Sequence, residues 1–175
     1  MILYSTRGYC PPFQVLDYSA QTYDQNIDSA SRLMNAHSDQ STARATVKVR
    51  TVKNDDEDNS DLSLSYIDNL EVSEGTGPVD ALSRALLKSL EPCHPSLQSV
   101  EVTDYKVRIL NPSAATEAVT RVLIDFRDTS TDKKWTTVSV DRNIVSASLN
   151  ALVDGYEYAL IEDARVCMLC DDFFE

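Results

Sequence analysis

The chain has 175 residues, of which 42% are apolar, and this is enough for the hydrophobic core of one domain. Its 28 acidic residues outnumber its 16 basic ones and give a formal net charge of −12, which disfavours binding to nucleic acid or to an anionic membrane surface. We find no apolar run long enough to span a bilayer and no secretory signal in MILYSTRGYC, and therefore expect a cytoplasmic protein without a membrane partner.

The first half of the sequence predicts three strands followed by a helix. The predicted strands span residues 13–23, 43–52 and 62–73, and the predicted helix spans residues 78–90. Apolar Val47 and Val49 alternate with charged Lys48 and Arg50, which is typical of a strand whose sheet has one solvated face. Pro78 suits the first turn of a helix, where its missing N–H would have no intrahelical partner.

The second half repeats this order. Its predicted strands span residues 99–110, 118–128 and 134–141, and its helix runs from Ile144 to about Glu162, with Asn143 as N-cap. The layout of residues 71–90 recurs 66 positions later, and both first strands carry an Asp-Tyr pair. Such internal similarity indicates a duplication, so we predict an α+β fold of two βββα units with antiparallel sheets, each covered by a helix.

Both helices carry an apolar stripe at helical spacing, which predicts the face that covers the sheet. The stripes consist of Val79, Leu82, Leu86 and Leu90 in the first helix and of Val145, Leu149, Leu152, Tyr156 and Leu160 in the second. A second face of the first helix carries Asp80, Arg84 and Lys88 at spacings of four, which is typical of a charged, solvated surface.

The units set the expected domain limits. We assign residues 1–10 to a residual linker, 11–163 to the domain and 164–175 to a C-terminal tail. The units span residues 11–92 and 97–163. Two polar segments, 26–42 and 53–61, lie outside the repeat as connections between strands.

No catalytic constellation is found in the sequence. The acidic loop fails as a calcium-binding loop because Asp61 stands where the invariant glycine would be and Ile67 where the bidentate glutamate would be. Cys167 and Cys170 form a CxxC, for which a metal or redox role remains an alternative; no second pair of ligands at zinc spacing accompanies it, and we therefore predict no metal site. The Gly-Thr-Gly at 75–77 lacks the lysine of phosphate loops and favours a tight turn that uses the backbone freedom of glycine.

Three stretches of the sequence resemble the C-terminal regulatory domain of the 2-isopropylmalate synthase and citramalate synthase family. They are GTGPVDA at 75–81, DYKVR at 104–108 and WTTVSVDRNIVSASLNALVDGYEYAL at 135–160. The last two look closer to the citramalate synthase branch. The resemblance implies a two-fold dimer of two βββα units that binds an end-product amino acid, isoleucine for this branch or leucine for the other, and thereby inhibits a catalytic barrel.

The resemblance also implies which residues bind the effector. Gly75, Thr76, Val79 and Asp80 match the family's turn and helix start, where backbone amides can receive a carboxylate and a nearby carboxylate can hold an ammonium group. A second set on the following strand and beyond matches the apolar wall, and consists of Val102, Tyr105, Ile109, Thr116 and Val119. Val102 and Tyr105 are three residues apart, so a bulge or bend near Asp104 is required to bring them to one face.

The family's parent enzyme condenses acetyl-CoA with a 2-oxo acid and uses a divalent metal in its barrel. The His-x-His motif of that barrel is absent here, so the resemblance implies that the chain has no catalytic residues and no cofactor of its own. It is then either a domain of such a synthase or a freestanding amino-acid-binding or dimerisation module.

Overall fold

The computed structural model describes residues 11–23, 43–52, 66–110 and 118–171, with side chains up to residue 163 except that of residue 52. The first unit comprises β1 (Phe13–Thr22), β2 (Ala43–Val52), β3 (Tyr66–Gly75) and α1 (Pro78–Leu90). A short 3-10 helix (Pro95–Ser99), which was not predicted, leads to the second unit. That unit comprises β4 (Val100–Ile109), β5 (Thr120–Asp128), β6 (Lys134–Asp141) and α2 (Ile144–Asp171). The predicted duplicated βββα architecture is confirmed.

The first sheet has the order β1-β2-β3, with antiparallel pairing throughout. Val47 and Val49 of the central strand are completely buried, as their alternation predicts. Arg50 points to the other face, where its Nε donates to Oδ1 of Asp68 on β3 at 2.7 Å. Lys48 contacts the same carboxylate at 3.4 Å. One face of the sheet therefore builds the core, and the other carries exposed ion pairs.

Helix α1 packs mainly on β2 and β3. Pro78 stands in its first turn, and Leu82, Leu86 and Leu90 of the predicted stripe are completely buried. Lys88, in the last turn, binds Glu71 of β3 at 2.7 Å and so ties the helix end to the sheet. β3 ends at Gly75, two residues beyond the predicted strand end, and the first part of that predicted strand, 62–65, lies outside the described residues.

The second sheet has the order β4-β5-β6 and is covered by α2, which packs mainly on β5 and β6. Asn143 caps this helix as predicted, because its Oδ1 accepts a hydrogen bond from the Val145 amide at 2.9 Å. The helix continues to Asp171 instead of ending near Glu162, so residues 164–171 of the predicted tail are helical.

In both units a side chain on the last strand donates a hydrogen bond to a carbonyl oxygen of the helix, but the donor residue differs. In the first, Asn69 Nδ2 donates to the carbonyl oxygen of Ser89 at 3.1 Å. In the second, Trp135 Nε1 donates to the carbonyl oxygen of Gly155 at 3.2 Å. Trp135 and Gly155 each lie 66 positions after their counterparts, so the duplication extends to individual hydrogen bonds.

The two helices contact each other, and the buried apolar side chains of both units form one cluster. Across this junction the hydroxyl groups of Ser83 and Tyr156 are hydrogen-bonded at 3.3 Å. Strands β1 and β4 lie at the sheet edges, beyond the main contacts of the helices, and nine of the ten residues of β4 are exposed. Among the described residues, no helix is long and apolar enough to cross a membrane.

Candidate functional site

The first group of predicted site residues lies at the turn from β3 into α1. The Asp80 carboxylate reaches back over this turn, where its Oδ2 accepts a hydrogen bond from the Thr76 amide at 2.9 Å and a longer one from the Thr76 hydroxyl at 3.3 Å. Its Oδ1 accepts a bond from Arg84 Nε at 2.9 Å, one helical turn further on. Asp80 therefore fixes the turn through one oxygen and pairs with a cation through the other.

Glycine is required at position 75 because the start of α1 packs closely against this residue. A Cβ at this position would lie 2.5 Å from the Ala81 amide nitrogen and 2.7 Å from Asp80 Oδ2. Gly77, the N-cap of α1, has φ −160° and ψ 172°, an extended conformation that any residue can adopt, and nothing lies within 4 Å of its missing Cβ. The expectation that the glycines serve unusual backbone angles is therefore wrong, and the constraint at Gly75 is steric.

The Asp80 carboxylate is ionised at neutral pH. Its partial burial raises the pKa, but the hydrogen bonds from Arg84 and Thr76 outweigh this effect and hold the pKa below its usual range. The side chain is 34% exposed, so solvent and small molecules can reach it. Val79, also predicted for the site, packs against the core.

The second group lies on β4. The pairing of β4 with β5 shifts register between Val102 and Asp104, which is the bulge that the spacing of the predicted wall requires. Because of this shift, the three predicted wall residues of β4 lie opposite core-facing residues of β5 and share one face of the sheet. They are Val102, Tyr105 and Ile109, with exposed fractions of 40%, 37% and 52%.

This wall is uncovered because α2 packs on β5 and β6 rather than on the edge strand. The Tyr105 hydroxyl reaches the helix, where it is hydrogen-bonded to Ser148 Oγ at 2.9 Å. Ser148 donates its single proton to the Ile144 carbonyl oxygen at 2.6 Å, so Tyr105 must be the donor to Ser148. The hydroxyl is thus engaged, and the ring presents an apolar surface held at a fixed angle.

The first unit contains a counterpart of this wall on β1. The pairing of β1 with β2 shifts register between Val15 and Asp17, at the same place relative to the Asp-Tyr pair. The hydroxyl of Tyr18 is hydrogen-bonded to Ser146 Oγ of α2 at 2.8 Å, so β1 contacts the helix of the other unit. The repeated Asp-Tyr pair was the sequence signal for this similarity. The serine partners of both tyrosines were missed, since spacing alone does not show which helix a side chain reaches.

The remaining predicted site residues are less informative. The carbonyl oxygen of Val119 accepts a hydrogen bond from the Leu110 amide at 2.9 Å, which fixes the approach to β5. Thr116 lies outside the described residues. The structure thus assembles two predicted groups, one at the β3–α1 turn and one on β4, on different units of the chain.

Two cavities of about 560 Å³ each lie elsewhere. One lies beside the 3-10 helix and is lined by residues that include Leu97, Trp135 and Tyr158. The other lies between β1 and α2 and includes Val15, Tyr18 and Leu149. Neither is lined by a predicted site residue. Among the described residues, no group of three or more His, Cys, Asp or Glu side chains could hold a metal ion, and the side chains of Cys167 and Cys170 lie outside that set.

The duplicated βββα fold agrees with a comparison to protein families. Residues 19–160 match the family model described as the LeuA allosteric (dimerisation) domain. The chain belongs to this family. The match covers both βββα units, from β1 into α2.

Similar curated proteins place this LeuA domain in the citramalate synthase branch. The chain is 50% identical over 91 residues to an (R)-citramalate synthase of Synechocystis sp., covering 52% of the chain and 16% of that protein. It is 45% identical over 102 residues to that of Aquifex aeolicus, covering 58% and 19%. A third, of Sulfolobus acidocaldarius, is 34% identical over 139 residues, covering 79% and 26%. The matched region is thus about a quarter or less of the length of these relatives.

Proposed function

We propose that this domain binds a branched-chain amino acid at the β3–α1 turn and the β4 wall, and that binding inhibits the catalytic barrel of a citramalate synthase. Isoleucine is the proposed effector, and leucine is the alternative that the related 2-isopropylmalate synthase branch would use. The inhibited reaction would join acetyl-CoA to a 2-oxo acid. In this proposal the divalent metal belongs to the barrel and the regulatory domain works without a cofactor.

The observation that carries the proposal is the β4 wall. Val102, Tyr105 and Ile109 share one face only because the strand bulges before Asp104, and α2 leaves that face open. An apolar surface shaped by a bulge and held by the bond from Tyr105 to Ser148 suits a branched aliphatic side chain. An aliphatic pocket of this kind distinguishes ligands by shape, and one methylene is worth about 1–3 kcal/mol.

The charged ends of an amino acid have suitable partners at the β3–α1 turn. The first-turn amides of a helix have no intrahelical acceptor and favour an anion, which suits the effector carboxylate at the beginning of α1. The ionised Asp80 carboxylate, partly exposed, suits the ammonium group. We propose that the turn holds the charges while the wall selects the side chain.

A second copy of the chain would complete this site. β4 is an edge strand with nine exposed residues, and its unpaired backbone and apolar wall are surfaces that a partner would cover. The family's description as a dimerisation domain supports a two-fold partner. We therefore expect light scattering to give twice 19.5 kDa at tens of micromolar protein. A stable monomer at that concentration would contradict the dimer.

Calorimetric titration with isoleucine, leucine and valine tests the proposed function. Isoleucine should bind at least about tenfold more tightly than valine, because one methylene separates them. Val102→Ala should enlarge the pocket and relax the preference toward leucine. Val138→Ala is the matched control, since Val138 is 44% exposed, similar to Val102, but projects from the opposite face of the same sheet. Unchanged relative affinities in Val102→Ala would remove this strand from the site.

Asp80→Ala tests the charged end of the site. We expect it to cost about 2–5 kcal/mol of binding, because the effector ammonium would lose its partner in a partly buried site. The cost in stability should be about 1 kcal/mol, since the variant loses the favourable carboxylate at the helix start and its bond to the Thr76 amide. Equal losses in calorimetric titration and in urea unfolding would return Asp80 to a purely structural role.

A further inference from the structure

We infer that Arg84 occupies the effector's ammonium position on Asp80 in the unliganded domain, so that effector binding exchanges one cation for another on the same carboxylate oxygen. This inference rests on the proposed function and adds an internal competitor to it. It assigns Arg84 a role in setting effector affinity.

The two oxygens of the Asp80 carboxylate have different partners, and this supports the exchange. Oδ2 accepts both bonds from Thr76, at 2.9 and 3.3 Å, and these bonds hold the turn in shape. Oδ1 has the Arg84 guanidinium at 2.9 Å. An ammonium group can therefore replace Arg84 at Oδ1 while the turn keeps its bonds at Oδ2. The exchange therefore leaves the turn folded and the carboxylate paired.

The exposure of Arg84 is the second support. Its side chain is 61% exposed, against 34% for Asp80, so the guanidinium can move into water while the carboxylate stays in place. Exposed ion pairs at this i, i+4 spacing are weak, so displacing Arg84 costs little free energy. Contacts between the ligand and the apolar wall would offset that cost. Arginine keeps its charge at every relevant pH, and the competition therefore does not depend on the protonation of Arg84.

The exchange predicts the direction of a change in affinity. A ligand that binds only when the Arg84 pair is open has its apparent affinity reduced by the fraction of molecules in that open state. Removing the guanidinium should therefore tighten effector binding. A residue that merely positions Asp80 would have the opposite effect, because its loss would loosen the carboxylate.

Isoleucine titration of three variants of the dimeric domain tests the inference. Arg84→Gln should bind isoleucine about two- to fivefold more tightly than the wild type, as expected from the strength of an exposed pair. Arg84→Lys, which keeps a cation at the same spacing, should remain close to the wild type. Lys88→Gln is the matched control, because it removes an ion pair with Glu71 from the same helix without touching Asp80.

A spectroscopic readout separates exchange from a general effect on the helix. On saturation of the wild-type domain with isoleucine, the Arg84 Nε–H resonance should move toward that of a solvent-exposed arginine. Unchanged or weaker binding in Arg84→Gln, or an Arg84 resonance that isoleucine does not move, would overturn the inference. Failure of the wild type to bind isoleucine, leucine or valine would instead overturn the proposed function, which keeps the two failures distinct.

Discussion

Gly155→Ala should destabilise the domain even though it replaces a glycine within a helix. A Cβ at position 155 would lie 2.2 Å from Cζ and 2.3 Å from Cε2 of Phe126. The ring would have to retreat by roughly 1.3 Å or more to reach ordinary van der Waals separation. Phe126 is only 1% exposed and is stacked on Trp135 with ring centroids 5.6 Å apart, so it has little room to move.

The magnitude follows from two opposing effects. Replacing a mid-helix glycine by alanine ordinarily stabilises a protein by about 1 kcal/mol. Overpacking a filled core costs about 1–3 kcal/mol, and disturbing the stack of Phe126 on Trp135 adds about 0.5–1.5 kcal/mol. We therefore expect a net loss of about 0.5–3.5 kcal/mol in the free energy of unfolding.

Urea unfolding at one fixed protein concentration measures this loss, since the stability of the proposed dimer would depend on concentration. Gly77→Ala is the control, because nothing lies within 4 Å of its missing Cβ, and it should stay within about 1 kcal/mol of the wild type. A Gly155→Ala protein as stable as the wild type would refute the packing argument.

The duplication supplies a second test of the same contact. In the first unit the positions equivalent to Phe126 and Gly155 are occupied by Val49 and Ser89, a smaller sheet residue opposite a larger helix residue. Phe126→Val alone should be destabilising, as large-to-small core substitutions are. Combined with Gly155→Ala, it should cost less than the sum of the single changes, which a double-mutant cycle would show.

Three further predictions concern ionisation and hydrogen bonding. Burial lowers the pKa of His94 below 6.5, so the unfolded chain takes up a proton first and stability should fall as pH decreases from about 6.5; His94→Gln should flatten this dependence in unfolding curves. Burial raises the pKa of Asp128, but hydrogen bonds such as that from Thr131 have a larger effect and hold the pKa below 3.8. The ionised carboxylate therefore stabilises the fold above pH 3.8, and this stabilisation is lost on acidification. Asp128→Asn should cost under about 1 kcal/mol at neutral pH and weaken the dependence below pH 3.8. Trp135→Phe, which removes the bond to the Gly155 carbonyl, should cost about 0.5–1.5 kcal/mol in thermal or urea unfolding.

Much of the fold could be predicted because local signals agree with the tertiary structure. The alternation of Val47 and Val49 with charged residues gave the buried face of β2, and Asn143 marked the beginning of α2. The bulge before Asp104 followed from the resemblance, which implies that Val102 and Tyr105 share one wall, because residues three apart cannot share a flat strand face. The end of α2 was wrong because the helical sequence continues without a stop signal after Glu162.

The site was harder to predict than the fold. GTGPVDA indicated the turn, but only the structure shows that Asp80 divides its oxygens between Thr76 and Arg84. A helical spacing of four is compatible with an ion pair yet does not show whether the carboxylate has other partners. Spacing also could not show that Tyr18 contacts the helix of the other unit while Tyr105 contacts its own.

Amide resonances followed during an isoleucine titration would show whether the ligand engages both the β3–α1 turn and the β4 wall. We expect saturable shifts at both separated groups, with Gly75 and Thr76 reporting the turn and Val102, Tyr105 and Ile109 reporting the wall. Shifts confined to the cavity beside Trp135, or the absence of any saturable shift in a folded dimer at millimolar isoleucine, would contradict this expectation.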